Sequence, residues 1–420
     1  MSNRPIWAEI SLPNLRYNFT LLRGLVAPEA EVLAVVKADG YGHGAAPCAL
    51  ALQEAGARWF GVTSYEEGEL LREAGVSGRI LVMSGFLNGD RDGEDCDCDA
   101  GNRAPDALSS GYPEQQNIIE RGLTPAVWNV EQIRALEDAA TALKMPPASI
   151  AVHLKIDTGM SRLGSDWGEL RTIATRTARA VWIEGVFSHF ASSEVVHGSS
   201  VAAQFHDFQK ALAELARLGI HPQFVHMANS AAIFTHPASR KTIMEGARVL
   251  VRPGIALYGY VPEFQSQCGS TIPPQPELKP VLAWKTRIIS LKDLPPGRAV
   301  GYGGTYITPV QTKLAILPVG YADGLNRRLS PRGHVLVRGE RANIVGNISM
   351  DLTTVDATHI PGVNVGDEVV LIGEQGGRRI TAWDQAHWAE MIPYEVLCGL
   401  SKRVPRIYIA ECAPSRLRTG

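Results

Sequence analysis

The sequence predicts an α/β protein: a closed parallel (β/α)8 barrel followed by a mostly β domain. Three observations carry this expectation. Eight short apolar runs recur between residues 33 and 251, and helical patterns lie between most of them. Residues with chemical potential follow the ends of those runs, where barrels of this kind keep their chemistry. After Gly259 the pattern changes to short β-like runs separated by turns.

At 420 residues the chain exceeds one ordinary core, so two domains are expected, 1–262 and 263–420. Apolar residues make up 45% and charged residues 20%, as in globular proteins that bury a core. A formal net charge of −2 gives no electrostatic case for nucleic acid or an anionic membrane. No apolar run approaches the roughly 20 residues of a membrane span. Met1 to Leu12 lacks a basic region followed by an apolar one, so no signal peptide is expected. Six scattered cysteines, at 48, 96, 98, 268, 398 and 412, form no CxxC and suit a reduced cytoplasmic compartment.

Ile6 to Leu12 reads as a β run ahead of the barrel and is expected to pair with the second domain. Asn14 to Val26 reads as a helix with Leu15, Phe19 and Leu22 on one face. The barrel strands are expected at Leu33–Val36, Trp59–Thr63, Ile80–Met83, Ala126–Trp128, Ala151–Ile156, Trp182–Phe187, Gln223–His226 and Arg248–Val251. Ser64-x-x-Glu67 and Asn129-x-x-Gln132 look like capping boxes that open intervening helices. Ser199 to Leu218 is a long amphipathic stretch with Phe205, Phe208, Leu212 and Leu215 on one side. Pro262, Pro273, Pro274, Pro276 and Pro280 crowd the following linker. The second domain's strands are expected at Val281–Leu291, Lys313–Leu317, His334–Val337, Ala342–Val345 and Glu368–Ile372. Asn88 to Gly111 fits neither pattern. It carries six acids between Asp90 and Asp99 and reads as a surface insertion of low apolar content. Its glycine falls at the wrong position for a calcium loop, so no metal site is expected.

The chemistry gathers around Val35-Val36-Lys37-Ala38-Asp39-Gly40-Tyr41-Gly42-His43-Gly44. An apolar strand delivers one lysine to its end, and a glycine-rich turn follows. Glycine permits close backbone approach to a ligand. A lysine beside apolar groups can lose proton affinity by desolvation, which suits a Schiff-base nucleophile. The plain alternative is a strand-end lysine reaching into water. Further candidates follow later strands in order: Lys155 and Arg162 in His153–Gly164, His189 in Ser188–Ser192, Asn229 and Ser230 in His226–Ser230, and Arg252, Gly254 and Ile255 in Val251–Ile255.

Each of these strings resembles the motifs of the alanine racemases. So do Gly301-Tyr302-Gly303-Gly304-Thr305-Tyr306, Val319-Gly320-Tyr321-Ala322-Asp323-Gly324, Ser349-Met350-Asp351, Pro393-Tyr394-Glu395-Val396-Leu397-Cys398 and Lys402-Arg403-Val404-Pro405-Arg406. The resemblance spans nearly the whole chain. It implies a cytoplasmic homodimer that uses pyridoxal 5'-phosphate to interconvert L- and D-alanine and supplies D-alanine for peptidoglycan. It implies Lys37 as covalent anchor and one base, and Tyr302, given by the partner subunit, as the other. It implies that Tyr41, Ser230, Gly254, Ile255 and Tyr394 hold the phosphate, supported by Asn229. His189 would face the cofactor ring, and Arg252 its pyridine nitrogen. Arg162 and the Met350 backbone would hold the substrate carboxylate, with Tyr321 and Tyr394 at a narrow entrance. Lys155 is implied to be carbamylated. Where the family often has cysteine and arginine, this chain has Ser349 and Asn347. Both lie near the expected substrate carboxylate, so a racemase of broader substrate range is a second expectation. A cofactor-carrying homeostasis protein built from a lone barrel is a third, which the second domain disfavours.

Overall fold

A computed structural model of the chain describes residues 4–86, 113–176, 181–241, 243–266 and 271–410. Chain order begins with a strand outside the barrel, β1 (Ile6–Ser11), and helix α1 (Leu12–Gly24). The Ser11 hydroxyl accepts from the Asn14 amide and caps α1. The barrel strands are β2 (Glu31–Val35), β3 (Trp59–Val62), β4 (Arg79–Val82), β5 (Thr124–Val127), β6 (Ile150–Lys155), β7 (Val181–Phe187), β8 (Phe224–His226) and β9 (Arg248–Val251). They pair in parallel and in sequence, and β9 closes on β2 through Leu250 opposite Glu31 and Val251 opposite Val32. All eight sit within two residues of their predicted places. Strands walled by helices are buried on both faces, which explains their near-continuous apolar character. Four of the packing helices are α2 (Ala45–Glu54), α3 (Tyr65–Glu73), α4 (Val130–Ala142) and α5 (Ser199–Arg217).

The two predicted capping boxes differ from expectation. The Asn129 carboxamide caps α4 by accepting from the Gln132 amide, and Gln132 reaches back to the Trp128 amide instead of its own cap residue. Ser64 precedes α3 but its hydroxyl makes no capping bond. Glu67 turns away to accept from Thr63 and from Ala38, each at 2.7 Å. A carboxylate offered two amide donors on neighbouring barrel loops satisfies both, and the local cap is forgone.

The second domain is a large mixed sheet. Its strands are β10 (Leu282–Arg287), β11 (Ser290–Leu294), β12 (Thr312–Leu317), β13 (His334–Val337), β14 (Glu340–Ile344), β15 (Thr353–Asp356), β16 (Glu368–Gln375) and β17 (Arg406–Ile409). The order is β11-β12-β15-β14-β13-β16-β10-β1-β17. β1 lies in this sheet, antiparallel to β10 and parallel to β17. Val281–Leu291, read as one run, is two strands with different partners: β10 joins β1 and β16, whereas β11 joins β12. Two short helices, α6 (Ala382–Ala389) and α7 (Pro393–Cys398), lie between β16 and β17. One apolar core runs from Ile6 through the barrel to Val404, so barrel and sheet are packed as a unit. The acidic insertion, Asn88–Gly111, lies outside the described residues.

Candidate active site

Lys37 follows β2 and begins a backbone segment of reversed hand. Ala38, Asp39, Gly40 and Tyr41 all have φ between 52° and 61°. A side chain in that region crowds the following carbonyl, at about 1–2 kcal/mol per residue. Several bonds hold the segment. The Gly40 amide donates to Val36 at 2.9 Å, Gly42 to Ala38 at 3.0 Å and Gly44 to Asp39 at 2.8 Å. The Asp39 carboxylate accepts from Ala45, and Glu67 accepts from Ala38. The second domain completes the clamp. Arg406 donates to the Gly42 carbonyl at 3.0 and 3.1 Å. A Cβ on Gly42 would overlap the Leu397 carbonyl, and one on Gly44 the Tyr408 hydroxyl. These are the positions where the turn requires glycine.

The turn opens into a cavity of about 870 Å³ at the carboxyl ends of the barrel strands. Lys37, Tyr41, Lys155, Arg162, His189, Asn229, Ser230, Arg252, Gly254, Ile255 and Tyr394 all line it. Sequence order and cavity membership therefore coincide for every barrel candidate. Burial, and next the charge of Arg162, lower the proton affinity of Lys37. Burial together with Arg162, Arg252 and Lys37 pulls Lys155 down to about 8. Burial raises the phenol of Tyr41 and pushes Tyr394 up to about 12, so both stay protonated donors at neutral pH.

Arg252 is the most constrained of the set. It is 4% exposed. One of its terminal nitrogens donates to His226 Nδ1 at 3.0 Å. The other meets the carbonyls of Ser188 (2.7 Å) and Met227 (3.2 Å) and His189 Nδ1 (3.0 Å). Burial draws the guanidinium down to about 9, which leaves it a cation at neutral pH. Burial first, and then the charges of Arg252, Arg162, Lys155 and Lys37, hold His189 well below its ordinary value, so it is neutral.

One wall is a cradle of donors. Ser230 Oγ accepts from Gly254 at 2.9 Å and from Ala256 at 3.4 Å. A Cβ on Gly254 would overlap the Tyr41 hydroxyl, so glycine alone lets that hydroxyl approach. Asn229 contributes structure: its Oδ1 accepts from Ser193 and from the Ala232 amide, capping the helix that starts at Ser230.

Tyr302, Tyr321 and Met350 do not join the cavity lining. They are 75%, 45% and 53% exposed on the second domain. They belong together there. The Tyr321 amide donates to Ser349 and the Ala322 amide to Met350. Asn347 donates to the Tyr302 carbonyl at 2.8 Å. Sequence reading took Glu67 for a helix cap, where it instead binds amides of two loops, and gave no role to His153, Glu184 or His226. Cys398 also lines the cavity and is a free thiol. Among the described residues no cluster suits a metal, and no helix is long and apolar enough to cross a membrane.

The family model described as "Alanine racemase, N-terminal domain" matches residues 10–96 and 100–262, and that of the C-terminal domain matches 281–408. An alanine racemase of Symbiobacterium thermophilum is 40% identical, covering 98% of both chains. That of Halothermothrix orenii is 40% identical over 96% of this chain and 97% of its own. The crystal structure of alanine racemase from Streptomyces lavendulae superposes with a TM-score of 0.82 at 32% identity, covering 98% of this chain and 99% of that one. That from Bartonella henselae, described with covalently bound pyridoxal phosphate, gives 0.77 at 29% identity over 96% and 99%. With both models matched and full-length relatives at this identity, the chain belongs to the alanine racemase family of isomerases.

Proposed function

We propose that this protein interconverts L- and D-alanine with pyridoxal phosphate bound in the Lys37 cavity, and that its two bases come from different copies of the chain. The observation that carries the reading is Arg252, buried and charged where the cavity meets the barrel axis. The donor set fits the cofactor. Tyr41, Ser230 and Tyr394 offer hydroxyls and Ile255 a backbone N–H group, which suit a phosphate dianion, and Gly254, its N–H given to Ser230 Oγ, leaves the wall open by having no side chain. Lys37 would hold the aldehyde carbon, His189 would lie against the ring, and Arg252 would face the ring nitrogen. A guanidinium donates and never accepts, so that nitrogen would stay unprotonated. When bound, pyridoxal phosphate supplies an electron sink that acidifies the Cα–H of an attached amino acid, and a ring left unprotonated is a weaker sink, favouring return of the proton to Cα.

Lys37 Nζ, made less basic by burial and Arg162, takes or returns the Cα proton on one face. Inversion requires the second proton to move on the opposite face. Tyr302 is assigned that task from a partner subunit, because in its own chain it is exposed and outside the cavity. A C2 dimer gives two such composite sites. Arg162 holds the substrate carboxylate with the Met350 backbone of the partner subunit, and Tyr321 narrows the entrance. Lys155 Nζ, pulled down to about 8, holds a larger share of free amine near neutral pH than an ordinary lysine, and that share can react with carbon dioxide. The resulting carbamate, formed with release of one proton, places an anion beside Arg162. Division into 1–262 and 263–420, cytoplasmic location and supply of D-alanine to peptidoglycan belong to the same proposal.

Asn347 and Ser349 favour a second reading, broader substrate range, because Asn347 holds the Tyr302 backbone. Incubating the purified protein with a panel of L-amino acids and measuring each D-enantiomer tests both. Alanine alone as substrate supports the first reading, several substrates the second, and none overturns both.

A further inference from the structure

We infer that Glu184 and His153, deep in the barrel interior, are positioning residues that act on the reaction through His226 and Arg252. The inference rests on the role proposed above for Arg252.

Barrels of this class usually fill their axis with branched aliphatic side chains. Here four polar side chains stack there instead, with Arg252 4%, His226 0%, His153 0% and Glu184 1% exposed. Arg252 meets His226 Nδ1 at 3.0 Å, and His226 Nε2 meets His153 Nδ1 at 2.8 Å. His153 Nε2 faces Glu184 Oε2 at 3.6 Å, and neither atom has another partner. Arg79, reaching in from the barrel floor, binds the other Glu184 oxygen and lies over Trp59 at 4.4 Å.

The direction of every bond follows from valence. A guanidinium has only donors, so His226 Nδ1 accepts. A neutral imidazole then carries its hydrogen on Nε2, which donates to His153 Nδ1. That places the His153 hydrogen on Nε2, the atom facing Glu184. Both imidazoles are neutral, because burial above all lowers their proton affinity. The chain thus runs one way, from a cation to an anion, and aligned bonds polarise one another. Among the described residues no carboxylate touches Arg252 directly. Glu184, itself paired with Arg79, ends the chain as the group that His153 Nε2 faces. Without it the His153 N–H faces no acceptor, and His153, and through it His226, is held less firmly behind the guanidinium.

The backbone is built to aim these groups. β6 and β7 pair Val152 with Ile183 but His153 with Gly185, so Glu184 is the extra residue of a bulge. A bulge redirects one side chain, here into the barrel. A Cβ on Gly185 would overlap the His153 ring. Phe187 stacks on His226 at 4.7 Å and 5°, and Trp59 packs on His153 at 5.2 Å. Rings held this tightly keep one orientation. In metal sites a carboxylate that orients a ligand imidazole typically contributes 10- to 100-fold to affinity or activity, and the same kind of positioning is inferred here for an imidazole that holds a guanidinium.

The test uses the purified holoenzyme. Nitrogen-15 NMR of histidine-labelled wild type reads the tautomers directly. Both His153 and His226 should be neutral with the hydrogen on Nε2. A hydrogen on Nδ1 of either overturns the inference without any variant. Glu184→Gln should lower kcat about tenfold, with KM within about twofold and melting temperature within about 4 °C, and should shift the His226 nitrogen resonances. On an Arg252→Lys background the same change should cost almost nothing further, because its path is already cut. Equal losses on both backgrounds, or an unchanged His226 spectrum, overturn it. Absence of alanine racemisation in wild type instead overturns the functional proposal, leaving the tautomer measurement to stand alone.

Discussion

The barrel rim and the exposed face of the second domain hold the proposed catalytic groups in opposite ways. At the rim, Lys37, Lys155 and Arg252 converge on one cavity, and Arg252 is 4% exposed. On the second domain, Tyr302, Tyr321 and Met350 point outward, with Tyr302 75% exposed. A large aromatic side chain left open beside further exposed apolar groups is a surface prepared to be covered. The contrast teaches that, on the function proposed above, one chain would fold a complete cofactor cradle and only half of an active site. The cradle would then be fixed by folding, and the other half by association.

The strongest way to break this comparison is to remove Lys37. Lys37→Ala should lose at least about 10³-fold in alanine racemisation and give no borohydride-trapped cofactor adduct by mass spectrometry. An adduct on another lysine ends the assignment. Tyr302→Phe should also fall by about 10²-fold or more, while keeping the adduct, since the cradle is intact. Mixing the two inactive variants should then recover roughly a quarter of wild-type activity, because half the dimers are hybrids with one intact site each. No recovery after verified subunit exchange would place both bases in one chain.

A third measurement probes the charge crowding that separates the rim from the open face. Lys155 titrates near 8 in the folded chain against an ordinary 10.5. Between those values the unfolded chain binds more protons, so stability rises with pH across that window. In cofactor-free, bicarbonate-free protein, denaturant unfolding at pH 7.5–10.5 should show this rise, and Lys155→Met should flatten it. A parallel profile for both proteins would show that the rim carries no such penalty. The smallest expected effect compares helix starts. Thr381 and Asp384 form a full capping box ahead of α6, with bonds of 3.1 and 2.7 Å, so Thr381→Ala should cost about 1 kcal/mol. Ser64→Ala at α3 should cost less than about 0.5 kcal/mol, since Ser64 makes no capping bond. Equal costs in chemical denaturation would refute the distinction.

Much of this was legible because it is local. Apolar runs mark parallel strands buried on both faces, and the rim candidates follow them in sequence. Short strands with mixed faces were harder. Thr353–Asp356 and Arg406–Ile409 went unread, because each is four residues long and carries polar side chains. Glu67 read as a cap because its spacing from Ser64 fits one; only the fold reveals the Ala38 and Thr63 amides it prefers. The polar axis was hidden for a similar reason. His153 and His226 lie 73 positions apart, and Glu184 turns inward only because its strand is bulged.

The clamp on the reversed-hand turn also bears on when a newly made chain becomes competent. Arg406 holds the Gly42 carbonyl across 364 positions of sequence. At ribosomal rates of about 5–20 residues per second, that separation is on the order of tens of seconds of synthesis. During that interval the barrel strands can already pair, while the segment bearing Lys37 lacks its last restraint. The turn that bears Lys37 is therefore complete only once Arg406 has been made and the second domain has packed against the barrel.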